Sequence, residues 1–319
     1  MAVYTQVDDS TLAAFLSDYT VGAPISFKGI AEGVSNSNFL LETDQSRFIL
    51  TLYEKINDPE DLPYFLSLME HLANKGLPSA LPISDRNGQF LKEIKGKPAC
   101  LISFLTGVSI DAIGQNHCAS VGQALAKMHL ATQDFSGVRE NDLSVSGWRT
   151  LVEKTRDRAD EVMPGLSDII VSEIEFLEEN WPTDLPKGTV HADLFPDNVL
   201  FMGTEISGLI DFYFSCTDFM AYDLAVCMNA WCFDQQHHFD PALAKRLMEM
   251  YDIVRPLTPA ELEAMPILCR GASMRFLLMR LYDWLNPVEG AAVNLKDPLE
   301  YLVKLQFHQA IQDTAEYVV

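Results

Sequence analysis

Positive charge is what this sequence has least of. Lys and Arg number 23 against 45 Asp and Glu, a formal net charge of −22 over 319 residues. A chain this acidic offers neither a nucleic-acid backbone nor an anionic membrane the basic surface that each requires, which excludes both as main partners. Its six cysteines, Cys100, Cys118, Cys216, Cys227, Cys232 and Cys269, show no C-x-x-C and no finger-type spacing. Several sit among apolar neighbours, as free thiols buried in a reducing compartment do. No window approaches about 18 uninterrupted apolar residues, so no membrane span is expected. Residues 1–9 lack the basic region and apolar core of a secretion signal. A cytoplasmic location follows as the expectation. Three common fingerprints are missing as well: G-x-x-x-x-G-K-[ST], G-x-G-x-x-G and H-E-x-x-H. A P-loop kinase, a dinucleotide enzyme of the usual kind and a zinc peptidase therefore lose their main support.

What is present reads as a globular chain, with 48% hydrophobic and 21% charged residues. The length allows two domains. The first hundred residues carry short runs rich in Phe, Ile and Leu at Ile25–Ile30, Asn38–Thr43 and Arg47–Tyr53, divided by Gly33 and by Asp44-Gln45-Ser46. These read as strands. A helix with apolar Phe65, Leu66, Met69, Leu72 and Ala73 follows, with Gly76 as its stop. Two more strands are expected near Gln89–Ile94 and Ala99–Phe104, and Leu105-Thr106-Gly107 breaks the pattern. Beyond it the chain turns mostly helical, with helices expected over His117–Thr132, Ser172–Asn180, Pro241–Val254, Pro259–Asp283 and from Asp297 on. One strand-like island interrupts this part: Gly188–His191, Asn198–Met202 and Ile206–Phe212, with Gly203-Thr204-Glu205 as a hairpin connection.

The island holds the sharpest signal, His191-Ala192-Asp193-Leu194-Phe195-Pro196-Asp197-Asn198 followed by Leu209-Ile210-Asp211-Phe212. Asp193 and Asn198 lie five apart across a loop containing Pro196, so the chain can fold back and aim both into one space. Asn198 opens one hairpin strand and Asp211 ends the other, and antiparallel pairing would return Asp211 close to Asn198. A carboxylate beside an amide oxygen makes a hard oxygen site of the kind Mg²⁺ accepts, with phosphates and water completing the shell. Asp193 is then left as the base that orients and deprotonates a hydroxyl.

These residues resemble the catalytic loop of the eukaryotic-protein-kinase-like phosphotransferases, in the branch of aminoglycoside phosphotransferases and choline kinases. There the loop reads H-[GA]-D-x-x-x-x-N and is followed by [IL]-D-[FW]. Tyr222-Asp223-Leu224-Ala225 and the Gly122-x-x-Leu125-Ala126-x-Met128-His129 helix extend the likeness. The resemblance implies an α+β, two-lobed kinase-like fold, with a small antiparallel-sheet N-lobe over residues 1–105 and a larger, mainly helical C-lobe over 106–319. It implies ATP and Mg²⁺ as cofactors, Asp193 as catalytic base, Asn198 and Asp211 as metal ligands, and Asp223 as a brace beneath the loop. His191 is expected as a buried support, and His129 as packing. On the nucleotide side the likeness places a phosphate-covering loop at Gly33–Asn38, with Gly33, Ser35 and Asn36 near phosphate, and sets Phe104 and Leu105 against adenine. Thr51 occupies the position where protein kinases carry their phosphate-pairing lysine, and Lys55 lies on the same strand face.

The block Arg275-Phe276-x-x-x-Arg280-Leu281-Tyr282-Asp283-Trp284, the strand Leu50-Thr51-Leu52-Tyr53-Glu54-Lys55 and the stretch Asn141–Trp148 resemble more narrowly the kinase-like homoserine kinases. That likeness implies phosphorylation of L-homoserine on the route to threonine. A zwitterionic substrate calls for a guanidinium at its carboxylate, and Arg275 and Arg280 are the candidates. Five apart on a helix, they cannot share the centre of one face, so one is expected to bind substrate and the other to pair with an acid such as Asp283. Two other readings use the same machinery or fold: a kinase of another small hydroxylated substrate, such as an aminoglycoside or choline, and an inactive kinase fold that serves as a binding module.

Overall fold

The structure is a computed structural model that describes residues 5–30, 36–54, 59–287 and 295–318. The chain divides into two compact units, one of residues 1–107 with 207–210 and the other of 108–206 with 211–319.

The first unit is built on an antiparallel sheet. Its strands are β1 (Pro24–Gly29), β2 (Asn36–Thr43), β3 (Arg47–Tyr53), β4 (Pro82–Ile83), β5 (Leu91–Ile94) and β6 (Lys97–Ser103), in the order β1-β2-β3-β6-β4 with β5 also on β6. The β2–β3 register, Asn38 opposite Thr51 and Leu41 opposite Phe48, follows from the short turn at Asp44–Ser46. Along β2 buried and partly exposed residues alternate, the period of a half-buried strand. The core joins Phe39, Leu41, Phe48, Leu50, Leu52 and Leu101 to Leu12, Phe15 and Leu16 of helix α1 (Asp9–Leu16). Sequence periodicity overlooked α1, whose N-terminus Asp8 caps by accepting from the Thr11 amide at 2.8 Å. Helix α2 (Leu62–Asn74) carries the apolar stripe expected of it, and Gly76 adopts a left-handed φ of +81° just beyond its end.

The second unit is mostly helical: α3 (Gln115–Ala131), α4 (Val145–Ala159), α5 (Leu166–Asn180), α6 (Met220–Trp231), α7 (Pro241–Val254), α8 (Pro259–Leu285) and α9 (Leu299–Ala310). Helix α6 is buried along its length apart from Ala230, so it shows no polar face and no period by which a sequence reading finds a helix. It follows directly on β10 (Cys216–Phe219), which pairs with β7 (Lys187–Val190). Strands β8 (Val199–Met202) and β9 (Glu205–Leu209) form a ribbon joined through Gly203, whose φ is +69°. Asn198 does not open the strand as expected. It ends a 3-10 turn over Pro196–Asn198, because the fixed φ of Pro196 starts a turn rather than an extended strand. All six cysteines are buried and none forms a disulfide. No helix among the described residues is long and apolar enough to cross a membrane.

Helix α8 runs 27 residues with Pro266 inside it. Pro266 has no N–H to give the Leu262 carbonyl one turn back, and the Thr314 hydroxyl donates to that carbonyl instead. Helices α3 and α7 approach closely at Gly122, where an added Cβ would stand 2.1 Å from the Leu247 carbonyl oxygen. Gly122→Ala must push α7 away and is expected to destabilise the fold by about 1–3 kcal/mol. A denaturant midpoint equal to that of the unaltered protein would contradict this contact.

Candidate active site

The loop after β7 is fixed by one buried carboxylate. Val190 at the end of β7 lies opposite Cys216 at the start of β10, so the loop leaves the ribbon beside the strand that leads into α6. Asp223, in the first turn of α6 and fully buried, accepts the His191 amide on Oδ2 at 2.7 Å and the Ala192 amide on Oδ1 at 2.8 Å. His129 Nε2 from α3 lies 3.1 Å from the same Oδ2. Burial works against the charge of Asp223, but the hydrogen bond from His129, the neighbouring imidazoles and the His191 amide hold its pKa below the ordinary value. Ala192 sits at φ +62°, a left-handed conformation that costs a β-carbon-bearing residue on the order of 1–3 kcal/mol. It is held from the other side too, for Arg275 of α8 donates from Nη1 to the Ala192 carbonyl at 2.6 Å.

This strained residue aims its successor. Asp193 is partly exposed, its amide donates to His191 Nδ1 at 3.3 Å, and the His191 ring is fully buried against Phe212. Asn198 donates from Nδ2 to the Asp193 carbonyl at 2.8 Å and to Asp193 Oδ2 at 3.0 Å. Those two bonds fix the amide nitrogen toward Asp193 and turn the amide oxygen away from it. Asp211 follows β9 at φ +64° and opens the 3-10 turn Phe212–Phe214. Desolvation pushes the Asp193 carboxyl up to about 8; Arg275 pulls it down, while the charges of Asp211 and Asp197 push it further up. The Asp211 carboxyl reaches solvent on one side, yet desolvation and then the charge of Asp197 push it up to about 6. The structure thus brings Asp193, Asn198 and Asp211 into one electrostatic neighbourhood.

The residues expected around the nucleotide all belong to the first unit. Gly33, Ser35 and Lys55 lie outside the described residues. Asn36 is the first residue of β2, paired with Tyr53, and not a loop residue. Thr51 is buried in the sheet and its hydroxyl donates to Asn38 Oδ1 at 2.8 Å. Phe104 has the Arg47 guanidinium 4.3 Å above its ring, and Leu105 next to it is partly buried. The sequence reading overlooked an acid–cation pair in this unit, Glu54 with Lys97, in which Glu54 also accepts from Ser37 and Thr5. Glu54 ends the segment Leu-Thr-Leu-Tyr-Glu, where the sequence alone marks it only as part of a motif.

The two candidate arginines, Arg275 and Arg280, are both engaged within the protein. Arg275 is 1% exposed and turned to the loop. Arg280 faces α9, where Nη1 donates to Glu300 Oε2 at 2.5 Å and to the Asp297 carbonyl at 3.1 Å. Its acid is Glu300 of α9 and not the expected Asp283. Glu300 also accepts from Lys304 at 2.8 Å.

Asn198 and Asp211 supply hard oxygen donors, the set a divalent cation such as Mg²⁺ takes. No group of three or more His, Cys, Asp or Glu among the described residues forms a metal-holding cluster, so a cation here would complete its shell with other oxygens. The crowding of Asp193, Asp197 and Asp211 fits such an ion, since a positive charge among them relieves the repulsion that raises two of the three. Cation binding at pH 7 should therefore release protons, chiefly from Asp193. Affinity should rise between about pH 6 and 8 and level off above, where both carboxyls are already ionised. Titration calorimetry in buffers of different ionisation enthalpy measures the release, and proton uptake or none at pH 7 would contradict it.

Residues 26–257 match the phosphotransferase enzyme family. Proteins called homoserine kinase are similar over almost the whole length. The one from Allorhizobium ampelinum is 54% identical and the one from Methylobacterium radiotolerans 55%, each over 317 residues and 99% of both chains. Among solved structures, an amicoumacin kinase superposes with a TM-score of 0.69 at 12% identity, covering 97% of this chain and 95% of its own. A spectinomycin phosphotransferase does so with 0.67 at 14% identity, covering 98% of each. At such identities these two establish the kinase-like, two-lobed α+β fold alone.

Proposed function

The chain belongs to the phosphotransferase enzyme family and, within it, to the homoserine kinases, and from that premise we propose how its residues act. It is an ATP-dependent kinase that phosphorylates the side-chain hydroxyl of L-homoserine, giving O-phospho-L-homoserine on the route to threonine. The observation that carries this reading is identity of 54–55% sustained over 99% of the chain, and the chain carries Asp193, Asn198 and Asp211.

ATP bound with Mg²⁺ would supply the γ-phosphoryl group, and the cation would offset the charge of the phosphates. Asp193 orients the substrate hydroxyl and takes its proton. Oδ2 is already bonded to Asn198, so Oδ1 is the atom that faces the alcohol. A carboxyl pushed up to about 8 is a stronger proton acceptor than an ordinary aspartate and is matched to neutral pH. Asn198 and Asp211 would hold the cation through their side-chain oxygens, and the amide nitrogen of Asn198 is bonded to the base. His191 and Asp223 set the loop. Arg275 acts by holding the Ala192 carbonyl and by its charge beside Asp193, not by reaching the substrate carboxylate. Residues 1–105 are the nucleotide-covering lobe, and 106–319 carry the catalytic loop. The buried, unlinked thiols fit a cytoplasmic location.

ADP release measured with L-homoserine, choline, aminoglycosides and no substrate tests the reading. Activity is expected with homoserine, and turnover of another of these in its place would overturn it. Asp193→Asn should lower kcat by about 10²–10⁴-fold with nucleotide affinity kept; turnover near that of the unaltered protein would remove Asp193 from its role. Asp211→Ala should weaken Mg·ATP binding about tenfold or more, and an unchanged dissociation constant would contradict its place as a metal ligand.

A further inference from the structure

The carboxylate beneath the catalytic loop is one end of a longer buried chain. His129 meets Asp223 with Nε2, and its other ring nitrogen, Nδ1, lies 2.8 Å from the Tyr251 hydroxyl of α7. Arg255, just past the end of α7, donates from Nη1 to that hydroxyl oxygen at 3.2 Å and from Nη2 to Glu261 Oε1 at 2.8 Å. Glu261 in turn belongs to the first turn of α8, where its Oε2 accepts the amide and the hydroxyl of Thr258 at 2.9 and 3.0 Å. His129, Asp223, Tyr251, Arg255 and Glu261 are all at most 8% exposed.

Proton accounting gives this chain one direction. Arg255 can only donate. The Tyr251 oxygen receives that donor, so its single proton points to His129 Nδ1. A ring nitrogen that accepts carries no hydrogen, which leaves the imidazole proton on Nε2, aimed at Asp223. Asp223, held ionised by the donors around it, can only accept. Each group thus fixes the next, and the order of donors starts from a guanidinium anchored on Glu261.

The chain also closes on itself through α8. The helix that holds Glu261 in its first turn carries Arg275 farther along, and Arg275 grips the Ala192 carbonyl. The Ala192 amide is gripped by Asp223, at the far end of the chain from Glu261. One helix therefore reaches both peptide groups of the residue whose left-handed conformation aims Asp193. We propose that Tyr251 is a positioning residue for phosphoryl transfer: through its hydroxyl it fixes the Nε2–H tautomer of His129 and, by way of Asp223, the backbone of the catalytic loop. This rests on the reading of that loop as the site of phosphoryl transfer.

Tyr251→Phe removes the hydroxyl and little else. The ring proton of His129 is then free to exchange between its nitrogens, and in the Nδ1–H form a lone pair faces Asp223. The hold on Ala192 slackens, and Asp193 spends less time in line. Expected is a fall in kcat on the order of tenfold, with KM for homoserine and for ATP within about twofold of the unaltered values. Nitrogen-15 NMR of histidine-labelled protein, with the His129 signals identified by their loss in His129→Gln, should show one Nε2–H tautomer in the unaltered protein and a mixture in Tyr251→Phe. A residue that merely stabilised the fold would move neither kcat, measured well below the melting temperature, nor the tautomer. The proposal is overturned if the folded variant keeps its kcat, or if His129 in the unaltered protein is the Nδ1–H form or doubly protonated. That last measurement needs no Tyr251 variant, so a variant that fails to fold does not shield the proposal. It is also independent of substrate: absence of homoserine-dependent ADP release in the unaltered protein would sink the functional reading, while the tautomer would still decide the positioning chain.

Discussion

A buried carboxylate without partners is among the most unfavourable groups a fold can contain, by several kcal/mol even after the surroundings relax. Asp223 is fully buried and stays charged because donors surround it: two successive loop amides and the His129 imidazole. The N-terminal turn of α6, with its positive end of the helix dipole, adds to this. The dependence runs both ways. The loop amides satisfy Asp223, and Asp223 holds Ala192 at a φ that alanine would leave if released. Because α6 is packed on every side, the direction in which Asp193 points is set by the core of the second unit and not by the loop's own preferences.

Two aspartates thirty residues apart show how much the donors matter. Desolvation acts on both Asp223 and Asp193, and in each it is the largest influence on the titration. At Asp223 hydrogen bonds and imidazole partners outweigh it and the pKa falls. At Asp193 the strongest neighbours include two more carboxylates, Arg275 and Lys296 oppose them without outweighing desolvation, and the pKa rises to about 8. One side chain is thereby fixed as a permanent anion that supports structure, and the other is kept poised to exchange a proton. Residue type says nothing of this division, which follows from who donates to whom.

That is why the sequence was legible in some places and not in others. Strand β3 and helix α7 lie where their patterns put them, since a half-buried element writes its period into its residues. Helix α6 left no period because it has no exposed face, and α1 is too short to build one. The grouping of Asp193, Asn198 and Asp211 was readable from spacing, as the loop and hairpin between them are local. The partners of Arg275 and Arg280 were not, for Ala192 lies 83 residues from the first and Glu300 twenty from the second. The same holds for Tyr251 at His129, a contact across 122 residues. Such pairs depend on how helices pack, which no window of sequence contains.

The shortage of cations takes on a more definite meaning in this light. Several of the few that exist are directed inward. Arg270 grips Glu173 through two bonds of 2.8 Å, Arg255 meets Glu261, and Lys304 divides itself between Glu300 and the Asn229 carbonyl. In each case a carboxylate cancels the charge. Arg275 differs, because the partner at its Nη1 is a carbonyl, and no ion pair to a carboxylate accompanies it among the described residues. Its field is therefore left to act on Asp193, against desolvation and against the neighbouring aspartates. A guanidinium suits that place: burial pulls an ammonium down, as it does at Lys304 even beside Glu300, whereas a guanidinium keeps its proton. In a protein of charge −22, one buried cation without a carboxylate of its own sits beside the base, where it limits how far the surrounding acids can raise the pKa of Asp193.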